Sequence, residues 1–509
     1  MTRRLRLAEL MAALSLATDL GMGQPLEQAL RTCLIALELS ERLGLEKEQL
    51  SEVFYVALLR FLGCTADAHE FAAMVGGDDI GIRQAIAPVL GGSQGEFISQ
   101  VIPKVGGRGG PIRRARLVAA MFATGQRRTR EGVRAHCEMG ETLARRLGLS
   151  AGVQRGLTDA FEKWNGQGLP KGSTGSDIQL SARIVFIARD AEVLHREGGI
   201  EQLRASLRAR GGAAYDPAIS ATFLEVTSQV LSAVETLSPW ESVLEREPEP
   251  YPWVPDSRVD SVLETFADFV DLKSPFTAGH SRAVAALAAS AWPADPQALR
   301  RAGLVHDLGR MAVANAIWDK PAALTDGEWE RVRLHPYYSE RVLARSPALK
   351  PLSVLAGMHH ERGDGSGYYR GSKGAEIPPA ARILAAADSF QAMTEPRPHR
   401  SAYSAAHAAD LLEAEVRQGR IHPGAGQVVL SAAGHASPAL TRSWPSGLTE
   451  REVEVLRLIC RGGTKKEVAA RLRISPSTVD HHVRHIYDKV GVASRAGATL
   501  FAVENALLD

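Results

Sequence analysis

Ala160-Phe-Glu-Lys-Trp-Asn-Gly-Gln-Gly-Leu-Pro-Lys-Gly-Ser173 lies 199 residues ahead of His359-His-Glu-Arg-Gly-Asp-Gly-Ser-Gly-Tyr-Tyr-Arg-Gly-Ser372. The two strings share their glutamate, three glycines and closing serine in one register. The same spacing carries Ser181-Ala-Arg-Ile184 onto Ala380-Ala-Arg-Ile383 and His136 onto His335. A register held over that span marks an internal duplication. Further upstream, Ala57-Leu-Leu-Arg-Phe-Leu-Gly63 matches Gly303-Leu-Val-His-Asp-Leu-Gly309 at a spacing of 246, so the first copy carries an insertion between the two matched regions.

A chain of 509 residues exceeds one core, and 45% hydrophobic with 23% charged residues is ordinary for globular domains. The net charge of +2 excludes a chain-wide basic surface, so any nucleic-acid contact is local. Cys33, Cys64, Cys137 and Cys460 are widely separated, which argues against a disulfide framework or zinc ribbon and fits a reducing cytoplasm. No apolar run suits a signal peptide or a membrane span. Apolar residues recur at three and four spacing and strand-like valine and isoleucine runs are few, so the expected fold class is all-α. Arg246-Glu-Pro-Glu-Pro-Tyr-Pro-Trp-Val-Pro255 is too proline-rich for a helix or a central strand. With Ala436–Gly447 it divides the chain into residues 1–240, a linker 241–256, residues 257–435, a linker 436–447 and a tail 448–509.

The middle part gathers metal-ligand types: His280, His306-Asp307, His335, His359-His360 and Asp388. Imidazole with carboxylate suits iron, manganese or zinc. An adjacent His-Asp pair offers one nitrogen and one carboxylate, and the carboxylate can bridge two ions that clamp a phosphate. Singly, each has a plain reading: a core or surface histidine, or a helix cap at Asp388. Arg310 lies four residues after His306, so on a helix both face one site. Gly363-Asp-Gly-Ser-Gly367 reads as a turn, placed after His-His-Glu at the mouth of that site.

These stretches, with Asp271-Leu-Lys-Ser-Pro-Phe-Thr-Ala-Gly-His-Ser281, His306-Asp-Leu-Gly-Arg310, Asp319-Lys-Pro321, His335-Pro336, Arg382-Ile-Leu-Ala-Ala-Ala-Asp388 and Arg397-Pro-His-Arg400, resemble the HD superfamily, and within it the HD-GYP phosphohydrolases. The resemblance implies a helical domain that hydrolyses phosphodiesters, typically cyclic di-GMP, at an iron or manganese site. It assigns His280, His306, Asp307, His335, His359, His360 and Asp388 as metal ligands. It implies catalytic roles for His306, Asp307 and Arg310, and ligand contacts by Arg310, Asp364, Gly365, Gly367, Tyr368, Arg397 and Arg400. Three positions depart from the family pattern. Arg310 replaces a lysine, keeping a phosphate grip but not a ready proton. Tyr369 replaces the proline of the G-Y-P loop. Phe276 replaces a glutamate of some members, which favours two divalent metals over three.

The first copy lacks this set. Leu34 matches His280, Arg60-Phe61 match His306-Asp307, Ala160-Phe161 match His359-His360, and Arg189 matches Asp388, leaving His136 alone. One imidazole holds no divalent ion tightly, and two arginines repel one. The expectation is a degenerate copy without metal chemistry, serving as a packing or dimerisation partner or, more sharply, as a ligand sensor in the emptied cavity.

The tail spells out helix starts. Thr449-Glu-Arg-Glu452 and Thr464-Lys-Lys-Glu467 are capping boxes, and Ser475-Pro476 pairs an N-cap with proline at the first helical position. Val479, Val483, Ile486 and Val490 form one apolar stripe. The other faces carry Ser477, Thr478, His481, His482, Arg484, His485 and Lys489, suited to a major groove, while Lys465, Lys466 and Arg495 suit phosphates. A solvated helix face is the plain alternative, and a zinc pair from His481 and His485 lacks further ligands. The segment resembles the LuxR/GerE DNA-binding domains, which implies four helices, a third helix in the groove and binding as a dimer. Asp480 stands where lysine is common in that family. Ten Lys/Arg against eight Asp/Glu from Leu448 onward make a single tail a weak binder, so a homodimer is expected.

The resulting expectation is a cytoplasmic regulator that binds double-stranded DNA. Its tandem HD-type domains act on or sense a cyclic dinucleotide or other phosphoester. The alternative is a non-catalytic nucleotide sensor whose HD domains only control dimerisation and DNA binding.

Overall fold

The structure is a computed structural model that describes residues 5–107, 110–235, 238–434, 444–505 and 507–508. It divides into two compact units, Met1–Val262 and Leu263–Asp509. Helices dominate both, and the described strands are β1 (Leu5–Arg6) and β2 (Trp253–Val254), paired antiparallel.

The first unit is built around α1 (Leu7–Gly21), which is apolar on nearly every face and buried accordingly. It packs with α2 (Gln28–Arg42) and α3 (Lys47–Leu59), and α6 (Leu180–Arg210) closes over α2 and α3. Between α3 and α6 run the 36-residue α4 (Pro111–Arg146) and α5 (Ala151–Thr158). The insertion holds three short helices, Ala68–Val75, Asp79–Ile86 and Gln94–Gln100. It has its own small core of Val75, Ile82, Val89, Val101 and Val105 against Leu117, Val118 and Met121 of α4. After α7 (Pro217–Glu235), the stretch read as a linker over 241–256 is in part ordered secondary structure. Pro239 starts the helix α8 (Pro239–Glu245), and β2 follows on β1. Buried Glu247 fixes this return, accepting from Arg6 Nε at 2.7 Å and Tyr55 OH at 2.7 Å. The second linker falls mostly at 435–443, outside the described residues.

The helix α9 (Asp256–Asp271) runs through the boundary into the second unit and leads there into α10 (His280–Ser290), α11 (Pro296–Val305), α12 (His335–Ala344), α13 (Lys350–Gly357) and α14 (Pro379–Thr394). Contacts of the first unit recur here at the duplication spacings. A Cβ on Gly63 would lie 1.9 Å from His136 O, and one on Gly309 would lie 1.9 Å from His335 O. Glu162 accepts from the backbone amides of Lys171 and Ser173, as Glu361 does from Arg370 and Ser372.

The tail forms α15 (Glu450–Cys460), α16 (Lys465–Leu472), α17 (Pro476–Val490) and α18 (Arg495–Glu504) around Val453, Leu456, Val468, Val479, Ile486 and Ala498. Both capping boxes form, and Ser475 Oγ accepts from Thr478 N at 3.1 Å. Such caps contribute about 1 kcal/mol each. No helix among the described residues is long and apolar enough to cross a membrane.

The closest backbone approach in the second unit, Gly309 on His335, sets its tolerance to substitution. Gly309→Ala puts a methyl group into backbone and lowers unfolding stability by about 3 kcal/mol, read as a lower thermal midpoint. Gly327→Ala, with nothing within 4 Å of the added Cβ, leaves that midpoint in place.

Candidate metal centre and nucleic-acid interface

Each of the seven histidine and aspartate candidates is delivered by an element end or a helix face. His280 is the first residue of α10, behind Gly279 at φ +80°. Asp271 places it there by accepting from Ser281 N at 2.8 Å and Ser281 Oγ at 2.7 Å, a carboxylate at a helix N-terminus. Burial pushes the Asp271 carboxyl up to about 7. His306 follows α11, His335 opens α12, and His359-His360 follow α13. Asp388 lies inside α14 and caps nothing.

Backbone geometry sets the protonation pattern of three imidazoles. His306 Nδ1 lies 2.7 Å from Gly303 O, His335 Nδ1 2.6 Å from Val332 O, and His359 Nδ1 2.5 Å from Ala356 O. A carbonyl only accepts, so each Nδ1 carries a proton, and in the neutral imidazole each Nε2 presents a lone pair inward. His335 Nε2 and His359 Nε2 then face each other at 3.1 Å. Two lone pairs at that distance call for a cation between them. His306 Nε2 is buried without a hydrogen-bond partner, and although burial lowers the pKa of this imidazole, Asp307 and Asp388 outweigh it and raise it.

Asp307 stands between two groups of these donors. Its Oδ1 is 3.4 Å from His335 Nε2 and 3.5 Å from His359 Nε2. Its Oδ2 is 3.5 Å from His306 Nε2 and 3.8 Å from His280 Nε2. Asp388 Oδ1 joins the second group, 3.2 Å from His280 Nε2, and Asp388 Oδ2 is 3.8 Å from His360 Nδ1. His335, His359 and His360 therefore make one potential metal cluster, and His280, His306 and Asp388 another, with Asp307 reaching both. The donor set fits divalent cations. Burial pushes the Asp307 and Asp388 carboxyls up, but histidine neighbours, and Arg310 beside Asp307, outweigh it and hold both well below the usual range. Burial lowers the His359 imidazole to about 4.

Arg310 reaches the site by a route other than the α-helix expected from its spacing. α11 ends at Val305, and Leu308–Ala312 is a 3₁₀ turn, in which residues three apart eclipse. Arg310 Nη1 accordingly donates to Asp307 Oδ2 at 2.9 Å, with the guanidinium 4.1 Å from the centre of the Trp318 ring.

The expected ligand-contact residues divide. Tyr368 stacks on His360, ring centres 4.7 Å apart. Gly367 is needed where the loop crosses its own start, since a Cβ would meet His360 O at 2.5 Å. Tyr369 is accommodated by Glu340, which accepts its hydroxyl at 2.8 Å. Arg397 is half-buried beside Glu395, 3.1 Å away, and its charge acts on Arg310, Asp388 and Asp307. Arg400 is spent on the carbonyls of Ala392, Met393 and Glu395. Asp364 accepts from Ser366 in an exposed turn with Gly365. Glu395 was missed in the sequence. It lies 2.8 Å from His280 Nδ1, and with Asp388 it outweighs burial to lift that imidazole to about 10. Its signal was its place two residues before Arg397.

On the tail, Ser477, Thr478, His481, Arg484 and His485 lie exposed along α17, with the His481 and His485 rings 4.0 Å apart. His482 is half-buried and Lys466 exposed on α16. Asp480 pairs with Lys465 and lies 3.5 Å from Arg484. Lys489 turns away from this surface to Glu452 at 2.7 Å and Gly447 O at 3.1 Å. Arg495 opens α18 and is half-buried.

Comparison with known proteins gives these surfaces a family. The HD domain family matches residues 264–424, and the luxR family of bacterial regulatory proteins matches 446–502. The chain is 34% identical over 411 residues to 3'3'-cGAMP-specific phosphodiesterase 3 of Vibrio cholerae serotype O1, covering 78% of this chain and 88% of that protein. A shorter match, 43% identical over 99 residues, is to a cyclic di-GMP phosphodiesterase of Thermotoga maritima, covering 19% of this chain and 27% of that one. A solved cyclic GMP-AMP specific phosphodiesterase of V. cholerae (V-cGAP3) aligns with a TM-score of 0.58 at 29% identity, over 84% of this chain and 98% of that chain. The chain therefore belongs to the HD-GYP phosphodiesterase family, and it carries in addition a C-terminal domain of the luxR family of bacterial regulatory proteins.

Proposed function

We propose that the chain hydrolyses a 3',5'-linked cyclic dinucleotide at the His/Asp centre of the second unit, and that the luxR-type tail, as a homodimer, binds double-stranded DNA under control of that centre. The carrying observation is the arrangement of Asp307 between two groups of inward-facing imidazole lone pairs. His280, His306, His335, His359, His360, Asp307 and Asp388 would hold two divalent ions, iron or manganese. Two such ions supply Lewis acidity and a hydroxide nucleophile near neutral pH. The relatives named for cyclic GMP-AMP and cyclic di-GMP supply the substrate class.

The chain's own residues do the rest. Arg310, its guanidinium over the Trp318 ring, offers the N–H groups not given to Asp307 to a phosphate oxygen at the cluster edge. Tyr368, on His360, gives a face for a base at the mouth of the site. Glu395 orients His280 as a carboxylate–histidine pair. The degenerate first copy is a separate domain without metal chemistry.

A second reading, a sensor that binds nucleotide without turning it over, is favoured by Arg310, which does not donate a proton at neutral pH. Hydrolysis assays on the metal-loaded full chain with cyclic GMP-AMP and cyclic di-GMP decide between them. Linear product is expected, with Asp307→Ala lowering turnover about a thousandfold or more. Binding without product supports the sensor, and Arg310→Lys then restores turnover.

Protonated His280 cannot ligate, so metal uptake displaces its proton. Metal affinity rises with pH between about 6 and 9, and protons are released on binding, read by calorimetry in buffers of different ionisation enthalpy. On the tail, Asp480→Asn removes a negative charge from the DNA-facing helix and frees Lys465 and Arg484. DNA affinity at fixed salt is expected to rise about fivefold, measured by fluorescence anisotropy.

A further inference from the structure

The metal centre has a counterpart position in the first unit, and its orphaned atoms have the opposite polarity. At the metal centre of the second unit, a buried atom without a hydrogen-bond partner is the ligand nitrogen His306 Nε2. At the matching position stands Arg60, 2% exposed, whose Nε, Nη1 and Nη2 are all buried without a hydrogen-bond partner. Phe186, Phe161 and Phe61 surround its guanidinium carbon, ring centres 4.8, 5.4 and 5.8 Å away. Rings attract the cation, but no oxygen accepts its N–H groups, which lie in the guanidinium plane. Phe61 and Phe161 occupy the positions of Asp307 and His360, so ligand oxygens and nitrogens have become hydrocarbon.

Arg189, at the position of Asp388, repeats the pattern. It is 3% exposed, its Nε is also unpartnered, and its guanidinium carbon lies 6.0 Å from the centre of the Phe61 ring that also neighbours Arg60. Its Nη1 donates to Asp190 Oδ1 at 2.7 Å. Asp190 is fully engaged, since its other oxygen accepts from Arg210 Nη1 at 3.1 Å and Tyr215 OH at 2.7 Å. Arg210 takes Glu96 as well. Arg189 and Arg210 thus take up Asp190 and Glu96 and leave none for Arg60, and Lys163 adds its charge to Asp190, Arg210 and Glu96. His136, pressed down to about 3 by burial and donating from Nε2 to Arg60 O, stays neutral. The cluster holds more cations than anions, and the surplus sits on Arg60.

We propose that this cluster is an anion site, which takes a phosphate-sized oxyanion on the in-plane N–H groups of Arg60, with Arg189 Nε as a further donor. Guanidinium forks match oxyanions bidentately, and a buried cation with unpaired donors is the complement such an ion needs. The near-complete burial of both arginines selects a small tetrahedral group, inorganic phosphate or the phosphate end of a monoester. The inference rests on the first unit alone and stands whether or not the second unit hydrolyses anything.

The test is equilibrium dialysis of the metal-free full chain against labelled inorganic phosphate, with Asp307→Ala and Arg60→Met beside it. One phosphate per chain is expected in the wild type and in Asp307→Ala, and affinity at least about tenfold weaker in Arg60→Met. If Arg60→Met fails to fold, Arg60→Lys, which keeps the charge and loses the fork, carries the same expectation. Competition by 5'-GMP supports a monoester end as ligand, and its absence supports free phosphate. No saturable phosphate in the wild type, or equal binding by the Arg60 variant, overturns the proposal.

Discussion

Three imidazoles, His306, His335 and His359, each give their Nδ1 proton to the carbonyl three residues upstream, and the site depends on that choice. The bond fixes Nδ1 as the outward protonated nitrogen, so the Nε2 atoms converge on Asp307. A buried cluster of acceptors is unfavourable unless a cation fills it. The helix ends that hold these residues have to be rigid for the same reason. Asp271 capping α10 and the Gly309 approach to His335 are therefore part of the centre, although neither atom set faces a metal. His280 differs from the other three in setting its Nδ1 on a carboxylate, Glu395, instead of a backbone carbonyl.

The duplication turned on the same positions gives two chemistries. One copy presents lone pairs and carboxylates, while the other presents guanidiniums wrapped in phenylalanine. The shared parts are those that make the frame: the Gly63 and Gly309 approaches, and the Glu162 and Glu361 loops. The parts that differ are those that would meet a ligand. Backbone contacts are hard to change without losing the fold, whereas side chains at the centre are free to change together.

Much of this was legible in the residues. Periodicity and composition gave an all-helical chain, Thr449, Thr464 and Ser475 gave the tail's helix starts, and the histidine-aspartate set that the family resemblance assigns lies grouped in the structure. What failed was local geometry that side-chain identity does not encode. The spacing of His306 and Arg310 suggested an α-helix, but the chain changes to a 3₁₀ turn after Asp307. Lys489 read as a DNA contact, yet Glu452 lies within its reach across the tail's core. β1 and β2 pair residues about 250 apart, a contact that no local pattern of prolines reveals. Glu395 was invisible as a partner because its role depends on where α14 ends relative to α10.

Asp307, within reach of both groups of converging imidazoles, would be held in common by two divalent cations. The most direct measurement is elemental analysis of the full chain purified without air and after removal of loosely bound metal. About two iron or manganese ions per chain are expected, with Asp307→Ala losing both while the chain stays folded. Wild-type protein without bound metal, or Asp307→Ala retaining the wild-type content, would contradict it.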